Sequence, residues 1–100
     1  MVKTKKEINR IIVRFKKELE KYHIHPERII LYGSYAKGNA RVDSDIDLVV
    51  ISSDFKNMNL RERLEILGLA AGRVFEPIEA LGYTPEELLE KKETFLEAII

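Results

Sequence analysis

Apolar residues recur at Ile8, Ile11, Ile12, Phe15, Leu19 and Tyr22, the spacing of one helix face, and Lys and Arg fill much of the other face. Thr4-Lys5-Lys6-Glu7 has the form of a capping box, so the pattern predicts a helix over about 5–22. His23-Ile24-His25-Pro26 ends it, because proline disfavours helix in the residue before it. Arg28-Ile29-Ile30-Leu31-Tyr32 then reads as a short buried strand that stops at Gly33. Residues 34–37 leave room for one helical turn before the breaker Gly38-Asn39. A second strand runs from Asp45 to Ile51. Ile46, Leu48 and Val50 face one side of it, and Asp45, Asp47, Val49 and Ile51 the other. Ser52-Ser53-Asp54 reads as loop.

Leu60, Leu64, Leu67 and Ala71 form a second helical stripe, predicting a helix over 59–73 capped by Asn57 or Asn59. Residues Phe75 to Tyr83 contain a third strand, whose start Pro77 confines to an edge or irregular position. Thr84-Pro85-Glu86-Glu87 is another capping box with proline at the first helical position, and Leu88 and Leu89 supply that helix's apolar side. Phe95, Leu96, Ile99 and Ile100 predict a last short helix. For the chemistry below to share one site, the end of strand one must lie beside the start of strand two, making them antiparallel. The third strand joins through the crossover helix. The expected fold class is α/β (α+β): a small mixed sheet with helices packed against it.

Composition narrows the function classes. One hundred residues with 45% hydrophobic and 34% charged content predict one globular domain, residues 1–100. The absence of cysteine excludes disulfides, thiolate zinc sites and a cysteine nucleophile. No apolar run approaches the roughly 20 residues of a membrane span, and the start lacks the apolar stretch of a secretory signal. The cytoplasm is the expected location. A formal net charge of zero argues against direct nucleic-acid binding through bulk phosphate contacts. Charge is nevertheless polarised: residues 1–25 carry eight Lys/Arg against three Asp/Glu, and residues 54–100 carry six against ten. Such runs are ordinarily solvated helix faces, though a polarised surface also orients a charged partner.

The chemistry concentrates in Gly33-Ser34-Tyr35-Ala36-Lys37-Gly38 and in Ser44-Asp45-Ile46-Asp47-Leu48. Asp45 and Asp47 project from one strand face, and a divalent cation offsets the repulsion of such a pair. A Gly-Ser turn opening a helix presents backbone N–H groups and a hydroxyl to a phosphate. Plainer roles exist for each part. Asp45 after Ser44 makes a turn, Gly33-Ser34 makes a tight strand-to-helix connection, and Lys37 is a surface lysine. None of these accounts for Asp47 inside an apolar strand. His23 and His25 lack an evident third ligand, and Tyr22, Tyr32, Tyr35 and Tyr83 read as packing groups.

Gly33-Ser34, Ala36, Gly38 and Ser44-Asp45-Ile46-Asp47-Leu48 resemble the signature of the minimal nucleotidyltransferases of the DNA polymerase beta superfamily. The resemblance in length and element order extends over nearly the whole chain, and it implies a polymerase-beta-like nucleotidyltransferase fold. It also implies transfer of a nucleotidyl group from a nucleoside triphosphate, with ATP as substrate and Mg2+, two ions, as cofactor. Asp45 and Asp47 are then the bridging metal ligands. Gly33, Ser34, Lys37 and Ser44 serve the triphosphate. A third carboxylate is expected on the following strand. Glu79, between Ile78 and Ala80, matches the family pattern better than Glu76 before Pro77, although the family often has aspartate there. The resemblance further implies that a chain of this size takes its acceptor from another protein. Stand-alone relatives are commonly paired with a helical HEPN-domain protein as toxin–antitoxin systems. The expected role is therefore the antitoxin half of a hetero-oligomer, placing AMP on a toxin tyrosine. Two alternatives are a non-catalytic module that masks its partner, and transfer to a small-molecule hydroxyl.

Overall fold

A computed structural model describes residues 2–90. The element order is α1 (Lys5–Lys21), β1 (Arg28–Tyr32), α2 (Gly33–Lys37), β2 (Ile46–Ile51), a 3-10 turn (Ser53–Phe55), α3 (Leu60–Val74), β3 (Ile78–Tyr83) and α4 (Pro85–Glu90). The predicted last helix around Phe95 and Ile99 lies outside the described residues.

Side-chain caps fix three of the helix starts. Thr4 Oγ1 accepts from the Glu7 N–H and Glu7 Oε1 from the Thr4 N–H. Asn59, not Asn57, caps α3, in a reciprocal pair with Glu62 at 2.8 Å each way. Thr84 and Glu87 repeat the arrangement at α4. Each such box satisfies two N–H groups that the helix itself cannot. Gly38, with φ of 79°, closes α2 in the left-handed conformation that glycine adopts without steric cost.

The sheet has the order β1-β2-β3, with β1 antiparallel and β3 parallel to β2. One face carries Ile46, Leu48 and Val50 and packs on Ile8, Ile11, Phe15 and Leu19 of α1 and Leu67, Ala70 and Val74 of α3. The other carries Val49 and Ile51 and packs on Leu88 of α4, with Ile30, Tyr32 and Tyr83 at the margin. The alternation along β2 thus follows the period-two reading, and each fully buried Leu or Phe contributes about 1.5–3 kcal/mol.

Four local expectations are corrected. The inner face of α3 is Arg63, Leu67, Ala70, Ala71 and Val74, while Leu60 and Leu64 are 62% and 43% exposed. The stripe read by spacing alone was rotated because Arg63 takes a buried position at the helix's inner edge. Its guanidinium forks onto Glu87 at 2.6 and 3.1 Å and donates to the carbonyls of Met58, Phe55 and Gly82. Leu89 of α4 is exposed, so among the described residues Leu88 is that helix's buried contact. Residues Ser53–Phe55 form a 3-10 turn rather than plain loop, with the Ser52 hydroxyl accepting from the Asp54 N–H at 3.1 Å. Finally, β2 begins at Ile46, which leaves Asp45 just ahead of the strand.

Candidate active site

The register of the two ladders builds the site. Tyr32 is opposite Asp47, and Asp47 is opposite Glu79. Opposed residues share a sheet face, so these three side chains form a row across all three strands, roughly 5 Å apart from one to the next. Asp45 stands two residues before Asp47, at the mouth of the same row. The row lies at the end of the sheet where β1 finishes and where β2 and β3 begin.

Gly33 holds the row's centre in place. Its φ is 72°, a conformation disfavoured for other residues. A Cβ built on it would land on Oδ2 of Asp47 and lie 3.0 Å from Cγ. The space that any other residue would fill is therefore occupied by the Asp47 carboxylate. The sequence assigned Gly33 to the approach of a phosphate; the close contact with Asp47 is a second, structural reason for glycine there.

Electrostatics mark the same cluster. The Asp47 carboxyl titrates above its ordinary value, through burial first and then the charges of Glu79 and Asp45. The Tyr32 phenol is likewise pushed up by burial, then by Asp47 and Glu79. Among the described residues none of the three carboxylates has a salt-bridge partner. Nor, among those residues, is any trio of acidic or imidazole side chains drawn together closely enough to chelate an ion.

The remaining candidates divide. Ser34 lies in the first turn of α2, directly after Gly33, and no side chain caps that helix start. Ser44 closes a turn with Arg41: its hydroxyl accepts from the Arg41 N–H at 2.7 Å and its N–H donates to the Arg41 carbonyl at 3.0 Å. Lys37 is exposed in the last turn of α2, where a cation also suits the helix C-terminus. Glu76 is engaged by Lys3 at 3.4 Å, away from the ladder. Glu79 is thus the acidic residue that β3 brings to Asp47. His25 pairs through Nδ1 with Asp54 at 3.1 Å, at a distance from this cluster in the fold. Tyr32 was missed as a member of the row. Its position immediately before Gly33, opposite Asp47 once the strands are antiparallel, was the available signal.

The profile of the nucleotidyltransferase domain matches residues 12–99. The chain belongs to that family. It is therefore a nucleotidyltransferase by descent as well as by the order of its Gly-Ser turn and Asp-x-Asp strand. It is similar to the protein adenylyltransferase MntA of Thermococcus cleftensis, with 39% identity over 79 residues that cover 73% of this chain and 78% of that one. A crystal structure of a Sulfolobus solfataricus protein described as a nucleotidyltransferase superposes with a TM-score of 0.54, covering 90% of this chain and 84% of its own. At 22% identity that likeness speaks to the nucleotidyltransferase fold alone.

Proposed function

We propose that this nucleotidyltransferase moves AMP from ATP onto a hydroxyl, a tyrosine's, of a partner HEPN-domain protein, and so acts as an antitoxin. The observation that carries the catalytic part is the row of Asp47 and Glu79 in register beside Gly33-Ser34, with Asp45 at its mouth. The likeness to a protein adenylyltransferase supports a protein as acceptor.

The donor set fits Mg2+: three carboxylates offer only oxygen, the preference of a hard divalent cation, and their mutual repulsion is what such a charge relieves. Asp45, Asp47 and Glu79 would hold it. Bound there, two ions would supply positive charge for an in-line displacement at phosphorus. The N–H groups opening α2, the Ser34 hydroxyl and the Ser44 turn receive the β- and γ-phosphates, with Lys37 adding charge at long reach. The acceptor oxygen attacks the α-phosphorus and forms a P–O bond. The bond from that phosphorus to the β-phosphate oxygen breaks, and pyrophosphate leaves with the electron pair. The hydroxyl proton passes to Glu79, the most exposed carboxylate of the row's two strand members. AMP on a toxin tyrosine adds charge and bulk that spoil an RNA-binding cleft. The cytoplasm, with its ATP and Mg2+, is the compartment this reading requires; among the described residues no helix is long and apolar enough to cross a membrane.

The test is incubation of the chain and its partner with Mg2+ and ATP labelled at either the α- or the γ-phosphate. The α-label should move to the partner and the γ-label should not. Absence of α-label on an active partner rejects adenylyl transfer. Neutralisation that survives Asp45→Asn with Asp47→Asn would mark a masking module instead.

A further inference from the structure

We infer that the acceptor reaches this site as an extended polypeptide segment, paired to the free edge of β3 in the groove between β3 and α3. The inference rests on the adenylyl-transfer reading and adds the form in which its substrate arrives.

Among the described residues β3 ends the sheet. The Ile46 N–H donates to the Pro77 carbonyl at 2.7 Å, and the Ser52 N–H to the Tyr83 carbonyl at 2.9 Å. In a parallel ladder the backbone groups alternate, so residues 77, 79, 81 and 83 address β2, and Ile78, Ala80 and Gly82 turn theirs outward. Two of the outward groups are engaged: the Ile78 N–H donates to the Glu76 carbonyl at 2.8 Å, and the Gly82 carbonyl accepts from Arg63 at 3.2 Å. Among the described residues no backbone partner meets the Ile78 carbonyl, either group of Ala80 or the Gly82 N–H. They form an alternating row of acceptors and donors that another extended backbone matches.

The opposite wall is apolar and open. Leu64, Leu67 and Gly68 of α3 line a groove of about 350 Å³ together with Ala80, Glu79 and Tyr32. Leu64 and its neighbour Leu60 are the leucines found exposed against expectation. Among the described residues no heavy atom outside the helix's own backbone lies within 4 Å of where a Gly68 Cβ would stand, so packing there does not require glycine. Glycine inside a helix costs about 0.5–1 kcal/mol relative to alanine. Here it leaves the groove clear for a second backbone. The groove ends on Glu79, so a hydroxyl-bearing residue paired opposite Ile78 to Ala80 stands beside the carboxylate row. A second copy of β3 would fill both grooves and shut both sites, which disfavours it as the occupant.

The probe is a synthetic peptide alternating valine and threonine around one tyrosine, compared with the same peptide N-methylated on its pairing edge. Transfer of α-phosphate label to the peptide is read beside Mn2+-ATP binding by electron paramagnetic resonance. Ala80→Pro removes the outward N–H and leaves the β2 ladder untouched. Gly68→Leu fills the groove with a better helix former. The plain peptide should be labelled, and N-methylation and each substitution should lower labelling at least tenfold with Mn2+-ATP binding within twofold. Labelling indifferent to all three changes overturns the inference. So does an enzyme that binds Mn2+-ATP and never labels the peptide, or a dimer that Ala80→Pro dissociates. Loss of Mn2+-ATP binding in the unaltered chain would instead sink the underlying reading.

Discussion

Gly33→Ala is the substitution whose effect follows most directly from the geometry. Alanine at φ of 72° enters the left-handed region, at a cost of roughly 1–2 kcal/mol. Its methyl group also takes the position of Asp47 Oδ2, and forcing atoms into a filled site costs about 1–3 kcal/mol. The sum is about 2–5 kcal/mol, and at about 4–8 °C per kcal/mol for a domain of this size Tm should fall by roughly 8–40 °C. A double-mutant cycle separates the two parts. Asp47→Ala removes the carboxylate and leaves only its Cβ, 3.2 Å from the new methyl. In that background Gly33→Ala should cost only the backbone part, giving a coupling of about 1–3 kcal/mol in denaturant unfolding. Additivity within about 0.5 kcal/mol would show that Gly33 and Asp47 do not share space, and would refute the reasoning.

Further outcomes are expected. Asp47 titrates above its usual 3.8 in the folded chain, so the fold binds its proton more tightly than the unfolded state does. Its contribution is therefore most favourable below pH 3.8 and declines as pH rises toward the raised value. Without metal, Asp47→Asn should gain stability relative to the parent across that window, as measured by thermal unfolding against pH, while losing transfer. Arg63→Ala should cost about 3 kcal/mol, the lower end for a broken buried pair because Glu87 is partly exposed, and Arg63→Lys should not restore it because lysine lacks the fork. Glu79→Gln should lower transfer at least a hundredfold, the low end for a general base, whereas Glu76→Gln should leave it within about twofold. The reverse ranking in a label-transfer assay would move the third carboxylate to Glu76.

Much of this was legible in the residues because local rules agreed with the fold. The capping boxes at Thr4 and Thr84, the alternation along β2 and Gly38 as the end of α2 each follow from one short stretch of chain, and the antiparallel pairing of β1 with β2 follows from placing both motifs at one site. What was misread depended on partners distant in sequence. Leu60 and Leu64 have helical spacing, but the buried side of α3 is set by Arg63, whose partners stretch from Phe55 to Glu87. Leu89 looked like Leu88's companion, yet so short a helix turns one leucine inward and the next out. Within the site, Asp45, Asp47 and Gly33-Ser34 were visible as motifs. The choice of Glu79 became physical only with the parallel register to Asp47. The contact between Gly33 and Asp47, and the place of Tyr32 in the row, could not be read before the strands were paired.

The central claim is that Asp45, Asp47 and Glu79 jointly hold a divalent ion with ATP. The most direct measurement is titration of Mn2+, followed by electron paramagnetic resonance, into the chain saturated with a non-hydrolysable ATP analogue. Bound Mn2+ that weakens at least tenfold in Asp45→Asn with Asp47→Asn is the predicted result. Equal affinity in the parent and the double variant would contradict it.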